Sequence, residues 1–368
     1  MSAYRGINMT NGIFSAEEQE VSQHILSLKL PNYRKAYSDK TAFIMASLCE
    51  LSYIVWESRF EGLDKNIADK FQSHVIDKLS NSSNKKFLTD YVVSLLKDTS
   101  ESKTMLIEML KDFAFQVDDE LSWISDPETD TQAFITFNDE YTVLVFRGTE
   151  ATSIGDIRTD TRANLITSPS NGLVHEGFQT AFNSVCETIN QRLQSAQLKG
   201  KPLYITGHSL GGALATIATR DIKPPINIAA CYTFGSPRVG NESWINRIKS
   251  PIYRLVNAAD SVTMLPPGAI AISGVSFVLG LIPSIGEKLK AWLSKYNGYV
   301  HAGNMRYLTN CVPNDFQEVK LLYSVSFSYR IVAVIQHSLF RELASDHSIM
   351  VYRKKLMVIA KKRNKSVV

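Results

Sequence analysis

Only four cysteines, Cys49, Cys186, Cys231 and Cys311, occur in 368 residues, and none stands at metal-ligand spacing from another. A disulfide scaffold and a cysteine-bound zinc are therefore not expected. Cys186 and Cys231 sit in apolar surroundings and read as buried thiols. The chain also lacks G-x-G-x-x-G, G-x-x-x-x-G-K-[ST] and H-E-x-x-H, the marks of a dinucleotide fold, a phosphate loop and a zinc protease. No internal repeat is present, which removes solenoids and propellers. The net charge of +4 is small, and no nucleic-acid partner is expected. The first thirty residues hold Glu17, Glu18 and Glu20 but no long apolar run, so no cleavable secretory signal is expected. The expected location is cytoplasmic, or outside the cell by a route independent of a signal peptide, with peripheral membrane association.

What is present is ample apolar material: 44% of residues are hydrophobic, enough for a large core. Residues 1–118 read as a helical N-terminal region. Ser15 and Glu18 have capping-box spacing, and Val21, Ile25 and Leu28 line one face before Pro31. Similar stripes run over Phe43–Val55, Phe87–Leu96 and Met105–Phe113, with a polar loop at Ser80–Lys86. Residues 119–368 change character. "AFITF" and "YTVLVF" predict a hairpin, Phe178 to Leu193 a long amphipathic helix, and residues 203–206, Ala229–Phe234 and Ile252–Asn257 three further strands. Strands alternating with helices predict an α/β fold whose mostly parallel sheet is covered on both faces. The C-terminal tail, 353–368, carries seven basic side chains and no acidic one. It reads as a solubilising helix in preference to an anchor for anionic lipid.

"YITGHSLGGALA" (Tyr204–Ala215) places Ser209 between Gly207 and Gly211, where a strand-like run gives way to helical spacing. G-x-S-x-G on such a turn lifts a serine hydroxyl out of the sheet, and glycines keep the turn clear of its neighbours. A serine hydroxyl is a poor nucleophile at neutral pH. It needs a histidine to take its proton and a carboxylate to fix that histidine's tautomer. In the order Ser, Asp, His, Asp221 lies too far down the following helix, and Asp346 adjoins a histidine in sequence. Asp260 directly follows a strand, at the sheet edge where active-site loops gather. His301, His337 and His347 all follow Asp260, and order alone leaves the three open.

Six stretches resemble the class 3 lipase family, which includes fungal triacylglycerol lipases. They are "VFRGTE" (Val145–Glu150), "VHEGFQTAF" (Val174–Phe182), "ITGHSLGGALA" (Ile205–Ala215), "YTFGSPRVGN" (Tyr232–Asn241), "LVNAADSVTMLPP" (Leu255–Pro267) and "DHSIMVY" (Asp346–Tyr352). The resemblance implies an α/β-hydrolase fold with a triad of Ser209, Asp260 and His347, the last chosen by its D-H-x-x-x-x-Y setting. It also implies an oxyanion hole from Thr149 and the backbone N–H of Leu210, with His175 and His208 ordering the serine turn. No metal or organic cofactor is implied. Residues 151–172 correspond to the family's lid, but they are polar and lack the tryptophan often found there.

Ser261 to Gly286 contains no charged residue and is long enough for a transmembrane helix. A single crossing would put Asp260 and His347 on opposite sides of a bilayer, so segment 264–298 reads instead as an insertion. It is expected to be re-entrant, interfacial or acyl-chain-covering, or else a buried hairpin. The expected function is a serine carboxyl-ester hydrolase, a lipase cleaving fatty-acyl esters of glycerolipids through an acyl-enzyme, with transient lipid-interface contact and no assigned protein partner. Phospholipase A1-type activity, as in a secreted effector, is the alternative within that class. A non-catalytic hydrolase-fold binding module is the alternative outside it.

Overall fold

The computed structural model describes residues 14–27, 35–54, 100–148, 164–168, 171–195, 197–223, 227–266, 298–312, 315–338 and 346–365. Helix α1 (Ala16–Ser27) opens with the expected capping box. The Glu18 N–H donates to Ser15 Oγ at 3.2 Å, and the Ser15 N–H donates to Glu18 Oε2 at 2.8 Å. Ser38 caps α2 (Asp39–Leu51), whose residues are almost all buried, and α3 (Ser100–Asp112) follows. The expected helix at Phe87–Leu96 lies outside the described residues.

Strand β1 (Trp123–Asp126) leads into the hairpin of β2 (Thr131–Phe137) and β3 (Thr142–Phe146), which pair antiparallel as predicted. Short β4 (Leu165–Thr167) and β5 (Leu173–His175) form a separate ribbon. Then come α4 (Glu176–Leu193), β6 (Leu203–His208), α5 (Leu210–Asp221), β7 (Ile228–Phe234), α6 (Glu242–Ile245) and β8 (Ile252–Asn257). Strands β9 (Asn304–Leu308) and β10 (Leu321–Leu322) complete the sheet, followed by α7 (Phe327–Ser338) and α8 (Ile349–Lys365).

The eight-stranded sheet runs β1-β2-β3-β6-β7-β8-β9-β10. From β3 to β9 every neighbouring pair is parallel, and both ends close antiparallel. This is the mostly parallel sheet of an α/β-hydrolase fold. Strands β3, β6, β7 and β8 are buried along their length because helices cover both faces. One face, with Val143, Val145, Tyr232 and Leu255, packs under α2, α3 and α8. The other, with Leu144, Phe146, Ile205 and Cys231, packs under α4 and α5. The helices before residue 118 thus share the sheet's own core.

Two sequence expectations need correction. Cys231 is buried, but Cys186 on α4 is only half-buried, because it stands beside the stripe that meets the sheet. The basic tail is not a wholly solvated face either. Arg353 and Lys355 are buried, and their charges are met inside. Arg353 donates to Glu50 and pairs with Glu18, while Lys355 Nζ donates to Asn257 Oδ1 at 2.7 Å and the Thr309 carbonyl at 2.9 Å. Only the end of the helix, at Lys361–Arg363, is exposed, and even there Arg363 reaches Asp39 at 2.9 Å.

Candidate active site

The turn from β6 into α5 fixes the serine. Ser209 has φ 57° and ψ −125°, a backbone conformation that a non-glycine residue adopts only when its surroundings impose it. The glycines on either side make room. A methyl at Gly207 would overlap the Gly211 carbonyl, and one at Gly211 the Phe146 carbonyl of the neighbouring strand. Leu210 is the first residue of α5, so its N–H is one of the amino-terminal donors that the helix itself leaves unsatisfied. Thr149 lies outside the described residues. Gly148, just before it, sits hard against the His208 carbonyl and the Tyr53 hydroxyl, so the loop after β3 does start beside the serine turn.

The structure brings Ser209, Asp260 and His347 together. His347 Nε2 is 2.9 Å from Ser209 Oγ, and its Nδ1 is 3.0 Å from both carboxylate oxygens of Asp260. Facing a carboxylate, Nδ1 carries the proton, which leaves Nε2 as the acceptor from the serine. Asp260 is fully buried and held from other sides as well. The Val262 N–H donates to Oδ1 at 3.0 Å, and the Tyr352 hydroxyl donates to Oδ2 at 2.6 Å. Ser209 is only 1% exposed. The hydroxyl expected to stand clear of the sheet belongs to a residue that is covered in this structure.

The other sequence candidates fall elsewhere. Asp221 closes α5 beside Arg220, and Asp346 accepts from Asn257 Nδ2 and the Ala259 N–H, tying the loop of Asp260 to that of His347. His301 is half-buried beside β9, away from Ser209 and against the Thr263 backbone. The side chain of His337 is outside the described residues. His175 caps α4 by accepting from the Phe178 N–H at 3.3 Å. Most of 151–172 and of 264–298 also lies outside them.

His208 does more than order the turn. Its Nε2 lies 2.6 Å from the His347 carbonyl and its Nδ1 lies 2.7 Å from the Tyr53 hydroxyl. A carbonyl only accepts, so Nε2 donates and Nδ1 accepts from Tyr53. The ring is neutral, because burial and then repulsion from His347 hold its pKa well below the usual histidine value. Tyr53 was invisible to sequence reasoning, since it stands 155 positions from its partner. Tyr53→Phe is expected to lower kcat about five- to tenfold with KM little changed, the worth of one buried hydrogen bond. Steady-state kinetics on a soluble ester checks this, and an unchanged kcat would show that the His347 carbonyl is held without the relay.

The same neutrality sets a pH dependence. His208 stays unprotonated when folded, whereas the unfolded ring takes up a proton below about pH 6.5. Its contribution to stability is therefore full above that pH and is lost as pH falls. Thermal melts between pH 7.5 and 5 should slope downward in the wild type, and less steeply in His208→Gln.

Residues 143–269 match the sequence profile of the family Lipase (class 3). That stretch belongs to the class 3 lipase family. A secreted mono- and diacylglycerol lipase of Fusarium solani is 37% identical over 100 residues, covering 26% of this chain and 30% of that protein. The chloroplastic phospholipase A(1) DAD1 of Arabidopsis thaliana is 38% identical over 120 residues, covering 29% of this chain and 27% of that one. Among solved structures, lipase II from Rhizopus niveus superimposes with a TM-score of 0.46 at 20% identity, over 77% of this chain and 94% of that one. These and similar curated relatives are matched over 27% to 45% of their own length. The lipase-family stretch contains Ser209 and Asp260, while Tyr53, His347 and Tyr352 are joined to it only by the fold.

Proposed function

We infer that this chain is a serine carboxyl-ester hydrolase that cleaves fatty-acyl esters of glycerolipids. The observation that carries the reading is the hydrogen-bonded line from Ser209 Oγ through the His347 ring to Asp260. In the first half-reaction Ser209 Oγ attacks the ester carbonyl carbon while His347 Nε2 takes its proton. The negative oxygen that forms is met by the N–H of Leu210 and by donors of the loop at Thr149, each worth about 3 kcal/mol to the transition state. His347 then protonates the departing alcohol, and the acyl group stays on Ser209. Water, deprotonated by the same nitrogen, releases the fatty acid. The imidazolium formed at each step is stabilised by Asp260.

The relatives' names support a glycerolipid substrate, since they include mono- and diacylglycerol lipases and a phospholipase A(1). Several of those relatives are secreted. Among the described residues no helix is long and apolar enough to cross a membrane. A non-catalytic binding module has no use for a complete and aligned triad.

The test is a fluorophosphonate probe with and without lipid vesicles, followed by a panel of phospholipids, triglycerides and p-nitrophenyl esters. Wild type should be labelled and Ser209→Ala should not. A folded wild type that resists the probe in both conditions removes the hydrolase reading.

A further inference from the structure

Behind Asp260, away from the serine, lies a second group of charges that the triad does not use. Arg238 follows β7, Arg254 sits on β8 and Arg330 on α7, and all three are buried, with relative exposures of 8%, 6% and 3%. Arg238 and Arg330 converge on one short segment, Thr263–Pro266, and Arg254 lies near both. Arg238 NH1 donates to the Met264 and Pro266 carbonyls, Arg330 NH2 donates to Thr263 Oγ1, and His301 lies against the Thr263 backbone. Three nitrogens of the group are sealed from solvent without a hydrogen-bond partner among the described residues: Nε and NH1 of Arg254 and Nε of Arg330.

Buried guanidinium groups are normally paired with carboxylates, because an uncompensated charge in the interior costs several kcal/mol. These are not. Besides burial, what acts on Arg238 is Arg330, and what acts on Arg254 is first Arg330 and Arg238, which repel it, and then Tyr352, which opposes them. Among the described residues Asp260 is the carboxylate whose charge reaches the group, and it acts on Arg330. Burial, then this mutual repulsion, pushes Arg254 down to about 9. Among the described residues, three cations against one shared carboxylate leave about two positive charges unanswered, the charge of a phosphate group near neutral pH. Arginine forks and an imidazole also supply the donors that a phosphate's several oxygens require.

We propose that Arg238, Arg254, Arg330 and His301 form a binding site for a phosphate oxyanion, placed behind Asp260 and distinct from the ester site. The bound group would be inorganic phosphate or the phosphate of a lipid head.

Thermal melts of the full chain separate these outcomes. Inorganic phosphate, titrated against chloride at matched ionic strength, should raise the wild-type midpoint by about 2–4 °C for each tenfold increase above Kd. Arg254→Met should melt no lower than wild type in phosphate-free buffer, since it removes an unanswered charge, and should not respond to phosphate. His301→Gln repeats the comparison with little risk to folding and should weaken the response. In a second arm, flotation with phosphatidylcholine vesicles is compared with and without phosphatidic acid. A phosphate response without vesicle dependence assigns free phosphate. Vesicle binding that needs phosphatidic acid and is lost in both variants assigns a lipid head. Equal phosphate responses in wild type and variants, or no response in either arm, overturn the site.

Discussion

Asp260→Asn should lower kcat on a soluble ester by about ten-thousand-fold while leaving the melting temperature close to that of wild type. Every neighbour of the Asp260 carboxylate is a donor: His347 Nδ1, the Val262 N–H and the Tyr352 hydroxyl. An asparagine replaces one acceptor oxygen by an NH2 group and must turn it toward one of them. If it faces His347, Nδ1 becomes an acceptor and the ring proton moves to Nε2. That nitrogen then points a proton at Ser209 Oγ and can no longer remove one. The volume of the side chain hardly changes, so packing survives and the loss falls on the chemistry. Stopped or steady-state assays on a p-nitrophenyl ester measure it directly. A loss below tenfold would mean that Asp260 does not set the tautomer.

The second large effect falls on stability. Arg353→Met should cost about 3 kcal/mol in urea-unfolding experiments, the lower part of the range for breaking a buried ion pair. Arg353 is fully buried, and it lies between Glu50 of α2 and Glu18 of α1. Removing the guanidinium withdraws the cation that both carboxylates face in the interior. Lys354, 3.5 Å from Glu18, softens the loss on that side. The double variant Arg353→Met with Glu50→Met should regain part of the stability, because it removes the charge together with its reason for being paired. A single variant as stable as wild type would show that the pair contributes nothing net.

These two residues also mark the limits of reading the sequence. Ser209 and Asp260 were legible because their signals are local: two glycines about a serine, and an acid directly after a strand. The hairpin of β2 and β3 and the Ser15–Glu18 capping box were legible for the same reason. His347 was not separable from His301 and His337 by order alone, and only a family motif singled it out. The structure gives the physical ground for that motif. Tyr352 lies in the first turn of α8, five positions after His347, and its hydroxyl donates to Asp260 Oδ2. Tyr53, Asp346 and the burial of Arg353 and Lys355 escaped notice because nothing nearby in the chain announces them. A run of Lys and Arg looks the same whether water or a glutamate 303 positions away receives it.

That last separation has a consequence for how the protein comes into being. Helix α8, which begins two residues after His347, docks against α1 and α2, elements made some three hundred residues earlier on the ribosome. The emerging polypeptide holds Ser209 and Asp260 long before it holds His347. Contacts this remote in sequence form late and slowly. A chain synthesised only as far as Asp260 therefore lacks the imidazole that meets Ser209 Oγ, and α8 cannot yet dock on α1 and α2.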